Sequence, residues 1–249
     1  MNRPKTAIVT GGSAGIGKAT VDTLLAQGIK CVVLDRDVDA GDFHNETIYR
    51  IKCDISVRQE VIEAVASALL WSTKIDYLVH SAGFAEVSSS VDLSEEDWLR
   101  IIATNLNGAM FINQAVGRHM IQNGGGSIVN LGSVAGQFGW PHRLAYSCAK
   151  AGVEALSRTL AVEWAPHNIR VNTVVPSHVE TPLQARMIAS GMVSKTIIES
   201  MNPMHRLATP NEISEVIAFT LSEKASFVTG QSINVDGGFS AYKTPIPGE

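Results

Sequence analysis

Thr6-Ala-Ile-Val-Thr10 runs directly into Gly11-Gly12-Ser13-Ala14-Gly15-Ile16-Gly17, and this junction narrows the choice of folds sharply. The first five residues are a short β-rich apolar run. After the glycines, apolar residues at Val21, Leu24 and Leu25 recur with helical spacing, and Gly28 is a suitable left-handed terminator. Strand, glycine turn and helix is the context in which a loop holds a pyrophosphate. Glycines let backbone amides approach the phosphates, and the helix N-terminus adds a favourable partial charge. A bare tight turn is the plainer explanation. Four glycines in seven residues, placed after the first strand, favour the ligand. Gly11, Ser13, Ala14, Gly15, Ile16 and Gly17 are therefore candidate contacts to a dinucleotide.

The second strand, Lys30 to Asp35, ends in a carboxylate about twenty residues past the loop, where an adenosine ribose should lie. Asp35 can accept hydrogen bonds from both ribose hydroxyls. At about 4 Å and an effective dielectric of about 20 it would repel a 2′-phosphate by roughly 4 kcal/mol per unit charge. That selects NAD over NADP, and Ala14 adds no cation to the loop. Arg36 is the dissenting residue, because its charge could screen such a phosphate.

Asp37 to Glu46 is polar and reads as a turn or a stunted helix. Ile48 to Cys53 is a third strand, with Asp54 and Ile55 at its carboxyl end as adenine-edge contacts. Ser56-x-x-Gln59 reads as a capping box for a helix reaching Leu70. Ile75 to Ser81 is a fourth strand, and the small Ala82 and Gly83 let a cofactor lie close; the lone His80 within it reads as a core histidine. A long helix from about Ser94 carries Asn105-Leu106-Asn107-Gly108 in mid-course. Such residues are unfavourable there and imply a kink or a functional polar group.

Ser127 to Gly132 is a buried strand that delivers Ser133, and Arg170 to Val175 is a sixth strand closed by Pro176. Thr181-Pro182 then opens a segment, about 183–204, whose prolines, glycines and methionines suit a mobile lid. Thr209-Pro-Asn-Glu212 is a strong helix start. Ser232 to Asp236 is a last strand, and the tail from Tyr242 is irregular. Strands and helices alternate without a compositional break. The expectation is one α/β domain over residues 1–249, a doubly wound parallel sheet.

The 249 residues are 45% hydrophobic and 18% charged, which argues against disorder, and the net charge of −4 leaves no basic footprint for nucleic acid or a membrane surface. No apolar run is long enough to span a bilayer, and the first strand begins too early for a signal peptide. Cys31, Cys53 and Cys148 are odd in number and lack metal-ligand spacing, so they read as reduced thiols of a cytoplasmic protein, Cys148 packing within its helix.

Tyr146 and Lys150, four apart at the start of a helix, share a face. A tyrosine pKa of about 10 is too high for proton exchange at neutral pH. An ammonium roughly 5 Å away contributes on the order of 3 kcal/mol, about two pK units, and should bring the phenol towards neutrality. Such a pair alone is more often a solvated helix face.

Together these residues resemble a short-chain dehydrogenase/reductase over nearly the entire chain. Thr10 to Gly17, Asp54, Ala82-Gly83, Asn105, Ser133, Tyr146 with Lys150, Pro176, Thr181 and Asp236-Gly-Gly follow the family's order and approximate spacing. The resemblance implies a seven-stranded Rossmann sheet, a homotetramer (or homodimer) built on the helices carrying Asn105 and Tyr146, and a nicotinamide as the hydride carrier, which Asp35 makes that of NAD. It implies that Tyr146 moves the substrate hydroxyl proton and that Ser133 holds the carbonyl oxygen. Lys150 would lower the Tyr146 pKa and bind the nicotinamide ribose. Asn105 would position a water leading to solvent, and Val179 and Thr181 would contact the carboxamide. Two departures stand out. Ser81 replaces the family's asparagine before Ala-Gly, so a hydroxyl must make its cross-sheet bonds. Ser177 replaces the glycine after Pro176, beside the nicotinamide and substrate.

The implied activity is NAD(H)-dependent interconversion of a secondary alcohol and a ketone on a small polar molecule: a sugar, polyol, hydroxy acid or sulfonate. An NADPH-dependent acyl-carrier-protein reductase and a catalytically silent dinucleotide sensor are the alternatives. The substrate pocket should be lined by Phe84 to Ser88, Val134 to Arg143, Ser177 and the lid, with Trp140 close to Tyr146. Arg143 and Arg186 either clamp an anionic group or are two rim cations.

Overall fold

The computed structural model describes residues 3–38 and 45–242. Seven strands form one parallel sheet: β1 (Thr6–Thr10), β2 (Lys30–Asp35), β3 (Ile48–Lys52), β4 (Tyr77–His80), β5 (Gly126–Leu131), β6 (Ile169–Pro176) and β7 (Ser232–Val235). Their spatial order is β3-β2-β1-β4-β5-β6-β7. The order reverses beside β1, whose neighbours are β2 and β4. At such a switch point the connections leave in opposite directions and open a crevice at the strands' carboxyl ends.

The strands read as continuous apolar runs because helices cover both faces. Alternate residues sort to opposite sides. Ile8, Val32, Leu34, Leu78 and Ile128 join one core with helices α2 (Arg58–Trp71) and α4 (Gly108–Gln122). Ala7, Val9, Val33, Val79 and Val129 join the other with α1 (Gly15–Ala26) and α8 (Pro210–Leu221). The capping box opening α8 is formed as its sequence implies: the Thr209 side chain accepts from the Glu212 amide, and Glu212 accepts from the Thr209 amide.

Two local expectations need correction. Ser56 caps nothing; α2 starts after Val57, because the Ser56 amide and hydroxyl both donate to the Asp54 carboxylate, at 2.9 and 2.7 Å, while Glu60 takes the Asp54 amide. Cys148 is exposed rather than packed, in contrast to buried Cys31 and Cys53, whose thiols burial pushes up to about 12. The segment 183–204, expected as a lid, carries α6 (Pro182–Ala189) and α7 (Lys195–Ser200), which bury Met187 and Ile198. The turn expected between Asp37 and Glu46 falls mostly outside the described residues, as does the tail after Tyr242.

The polar interruption in the long helix has a structural form. Between α3 (Glu95–Ile102) and α4 the backbone widens into a π-turn at Ala103–Asn107, an irregularity common at functional sites. Gly108 follows because a Cβ there would press on Ile55, 3.0 Å from its Cγ2.

Candidate active site

A cavity of about 780 Å³ lies at the carboxyl ends of the strands over the switch point. Asp35, Arg36, Asp54 and Ile55 line one end. The Asp35 carboxylate is held by two backbone amides, Ser13 at 3.0 Å and Asp37 at 3.1 Å. The exposed Arg36 guanidinium stands 3.6 Å from the Asp37 carboxylate.

Gly11, Ala14, Gly15 and Ile16 form one wall in the middle, facing Ser81, Ala82 and Gly83. Gly11 has φ +66°, and a Cβ on it would lie 2.8 Å from the Ala82 Cα. A Cβ on Gly17 would run into the Gly11 carbonyl. Gly17 and Ser13 therefore shape the loop from behind rather than line the cavity. The cross-sheet tie at the Ser81 departure differs from expectation. It is the Thr10 hydroxyl that accepts from the Ser81 and Ala82 amides, each at 3.1 Å, and pairs with His80 Nδ1 at 3.0 Å. His80 is fully buried, its imidazole held near a pKa of about 3 by burial first and by the Lys150 charge second.

At the other end Ser133, Tyr146, Lys150 and Asn105 converge from three elements. Ser133 follows β5, and its hydroxyl accepts from the Ala135 amide at 3.2 Å. Helix α5 (Leu144–Trp164) carries both Tyr146 and Lys150. Lys150 is 4% exposed, donates from Nζ to the Leu131 carbonyl at 2.8 Å, and lies 5.7 Å from the Tyr146 ring centroid. Burial lowers its pKa to about 8. Asn105, in the π-turn, donates from Nδ2 to the Phe84 and Ile101 carbonyls, both at 3.0 Å. Its Oδ1 is buried without a partner, on the side of Gly83, where a Cβ would come within 2.5 Å of it.

The expected acidification of Tyr146 by Lys150 is corrected. The Tyr146 pKa is raised, with enclosure by protein the largest cause, while a hydrogen bond from Ser133 and the charge of Arg143 pull it down. The ammonium is directed at the Leu131 carbonyl, not at the phenol oxygen, so desolvation outweighs it.

Pro176, Ser177, Val179 and Thr181 line the wall opposite Gly15, together with Arg186. The Ser177 hydroxyl donates to the Asp236 carbonyl at 3.1 Å. The expected substrate wall is only partly there. Phe84 lines the cavity, but the residues 85–88 do not, and Val134 and Ala135 are buried in packing. Trp140 and Arg143 stand behind the wall: Trp140 lies against His178 and Phe239, at 5.4 and 5.6 Å between ring centroids. Sequence reasoning missed Gln184, Thr104 and Arg100 among the lining residues, since nothing in their local pattern separates them from an ordinary helix face.

The residues present fit a dinucleotide. A long cavity runs from a carboxylate to a phenol, its middle kept open by glycines that no side chain could replace.

Comparison with known proteins agrees. Residues 11–240 match the family model described as enoyl-(acyl carrier protein) reductase. The chain is 34% identical to the NAD-dependent glycerol dehydrogenase of Listeria innocua over 240 residues, 95% of this chain and 94% of that one. It is 36% identical to the cis-4-hydroxycyclohexanecarboxylate dehydrogenase of Sinomonas cyclohexanicum over 244 residues, 95% of this chain and 97% of its relative. The structure of the aldohexose dehydrogenase of Thermoplasma acidophilum superposes with a TM-score of 0.90 at 29% identity, covering 99% of this chain and 98% of that one. With a parallel sheet of this order, a glycine loop at its switch point and the Ser133, Tyr146 and Lys150 cluster beside it, the chain belongs to the short-chain dehydrogenase/reductase family.

Proposed function

We propose that the protein is an NAD(H)-dependent dehydrogenase that interconverts a secondary alcohol and a ketone on a small polar substrate. One observation carries this reading: Ser133, Tyr146, Lys150 and Asn105 meet at one end of a continuous cavity whose far end is the Asp35 carboxylate. Bound there, a nicotinamide dinucleotide supplies the hydride chemistry. Gly15 and Ile16, at the start of α1, offer backbone amides and a helix terminus to its phosphates, while Gly11, its own amide held by the Leu34 carbonyl at 2.8 Å, leaves room for them to lie close. Asp35, Arg36, Asp54 and Ile55 hold the adenosine end, and Val179 and Thr181 the nicotinamide end. Two features favour NAD over NADP: the Asp35 carboxylate is fixed in place by two amides, and the Arg36 charge is shared with the Asp37 carboxylate 3.6 Å away.

Ser133 holds the substrate oxygen. Tyr146, whose raised pKa keeps it protonated at neutral pH, gives its proton to a ketone oxygen. In the reverse direction Ser133 and Arg143, both of which favour the phenolate, help it to accept one. Lys150 and Asn105 connect that proton to the buried polar interior.

Sugars, polyols and hydroxy acids are the classes to which the names of the three relatives point. Family likeness extends the proposal to a cytoplasmic homotetramer, whose mass light scattering of the purified chain reads directly. The test of the activity is Tyr146→Phe, which should keep NADH fluorescence binding and lose turnover of a panel of secondary alcohols by about 10²-fold or more. Undiminished turnover in that variant would refute the assignment. A wild-type chain reducing 3-oxoacyl thioesters with NADPH, and no free alcohol with NAD⁺, would favour the acyl reductase instead.

A further inference from the structure

Arg143 sits at the N-cap of α5, three residues before Tyr146. Its Nη1 is buried without a hydrogen-bond partner, and its Nη2 meets only the Met187 sulfur on α6, at 3.5 Å. A thioether is a weak acceptor, and a guanidinium cannot shed its proton to escape burial. Among the described residues no carboxylate pairs with this half-buried side chain, although a cation drawn even partly out of water ordinarily has a partner. Besides the Tyr146 phenol, which is protonated at neutral pH, the charge of Arg143 faces only weak acceptors. His178 beside it is neutral at pH 7, its pKa lowered to about 4 by burial and by Arg143, and Trp140 covers His178 at 5.4 Å. On the same helix as Met187, Gln184 holds a second buried and unpartnered donor, Nε2, at the cavity wall. Arg186 is different in kind: it is exposed at the rim, so no pair of guanidiniums closes on a substrate.

We infer that Arg143 is the receptor for a carboxylate on the substrate, so that the enzyme acts on a hydroxy acid or the matching oxo acid rather than on a neutral polyol. This rests on the oxidoreductase reading above. Because Arg143 and Met187 stand behind the cavity wall, the Met187 side chain swings aside and the carboxylate takes the place of its sulfur, with the carbinol carbon beside Ser133 and Tyr146. Arg143 precedes Tyr146 by about one helical turn and its charge acts on the Tyr146 phenol, which puts the two groups within the span of one small molecule.

The experiment compares kcat/KM, with NAD⁺, for 3-hydroxybutyrate and 3-hydroxycyclohexanecarboxylate against the corresponding carboxamides. Wild type should prefer at least one acid over its amide by 10-fold or more. Arg143→Gln should bring that ratio to about one, and Arg143→Lys should restore part of it, because the charge returns without the fork. A binding arm, free of turnover, titrates the NADH complex with unreactive cyclohexanecarboxylate and cyclohexanecarboxamide. The acid should bind more tightly in wild type, and the Gln variant should lose that advantage. NADH binding and alcohol oxidation with no preference for the acid, or with a preference that Arg143→Gln leaves intact, would overturn this inference and leave the dehydrogenase standing. A chain that binds no dinucleotide would overturn both.

Discussion

Lys150 is required by the proposed chemistry and costly to the fold, and replacing it with methionine separates the two. Methionine keeps the apolar stem, loses the charge and suits the buried site. In the folded chain burial lowers the lysine pKa from 10.5 to about 8. The unfolded chain therefore binds more protons than the folded one between those values, and stability rises with pH across that window. Below about pH 8 the buried ammonium costs roughly 3 kcal/mol, at about 1.4 kcal/mol per pK unit, and by pH 10 the cost falls to about 1 kcal/mol. Against this, Lys150→Met strips the Leu131 carbonyl of its donor, a loss of about 1–3 kcal/mol that does not depend on pH.

Without added dinucleotide, the variant should thus be as stable as wild type or up to about 2 kcal/mol more stable at pH 7. Its advantage should shrink by about 2 kcal/mol on going to pH 10. Urea unfolding of both proteins at pH 7, 8.5 and 10 measures the difference. The buried thiols of Cys31 and Cys53 and the raised Tyr146 phenol also titrate in alkali, but they are common to both proteins and cancel. A stability difference that stays constant across this range would mean that the ammonium is not desolvated, and the reasoning would fail. Activity should be lost throughout.

Two further substitutions probe the middle of the cavity and its adenosine end. Thr10→Val preserves shape but leaves the Ser81 and Ala82 amides and the His80 ring without their shared partner, and should cost about 2–4 kcal/mol in urea unfolding; a loss under about 1 kcal/mol would show that the tie is dispensable. Asp35→Asn removes a charge from a site partly open to solvent. Halving the unscreened 4 kcal/mol to about 2 kcal/mol makes the kcat/KM preference for NAD⁺ over NADP⁺ fall roughly 30-fold, and an unchanged preference would place the selectivity elsewhere.

What could be read in the sequence divides along a physical line. Strands such as Lys30–Asp35 were legible to the residue, because a strand covered on both faces needs an uninterrupted apolar run. The glycine loop was legible because its constraint is steric and local. Asn105 announced itself by breaking a helical pattern, and the structure turns that breach into a π-turn. Spacing also placed Tyr146 and Lys150 together. It did not say which way the ammonium points, and the Leu131 carbonyl that receives it lies on another element. Nor did it say how much water surrounds the phenol. A Coulomb estimate from spacing alone therefore had the wrong sign, since the desolvation of a group depends on everything packed around it. The same limit applied to the two arginines. In the chain both stand near the reacting residues, but one begins α5 and faces inward against Met187, whereas the other stays on the outer side of α6. Only tertiary packing could distinguish a guanidinium solvated by water from one that has lost water and lacks a counter-charge.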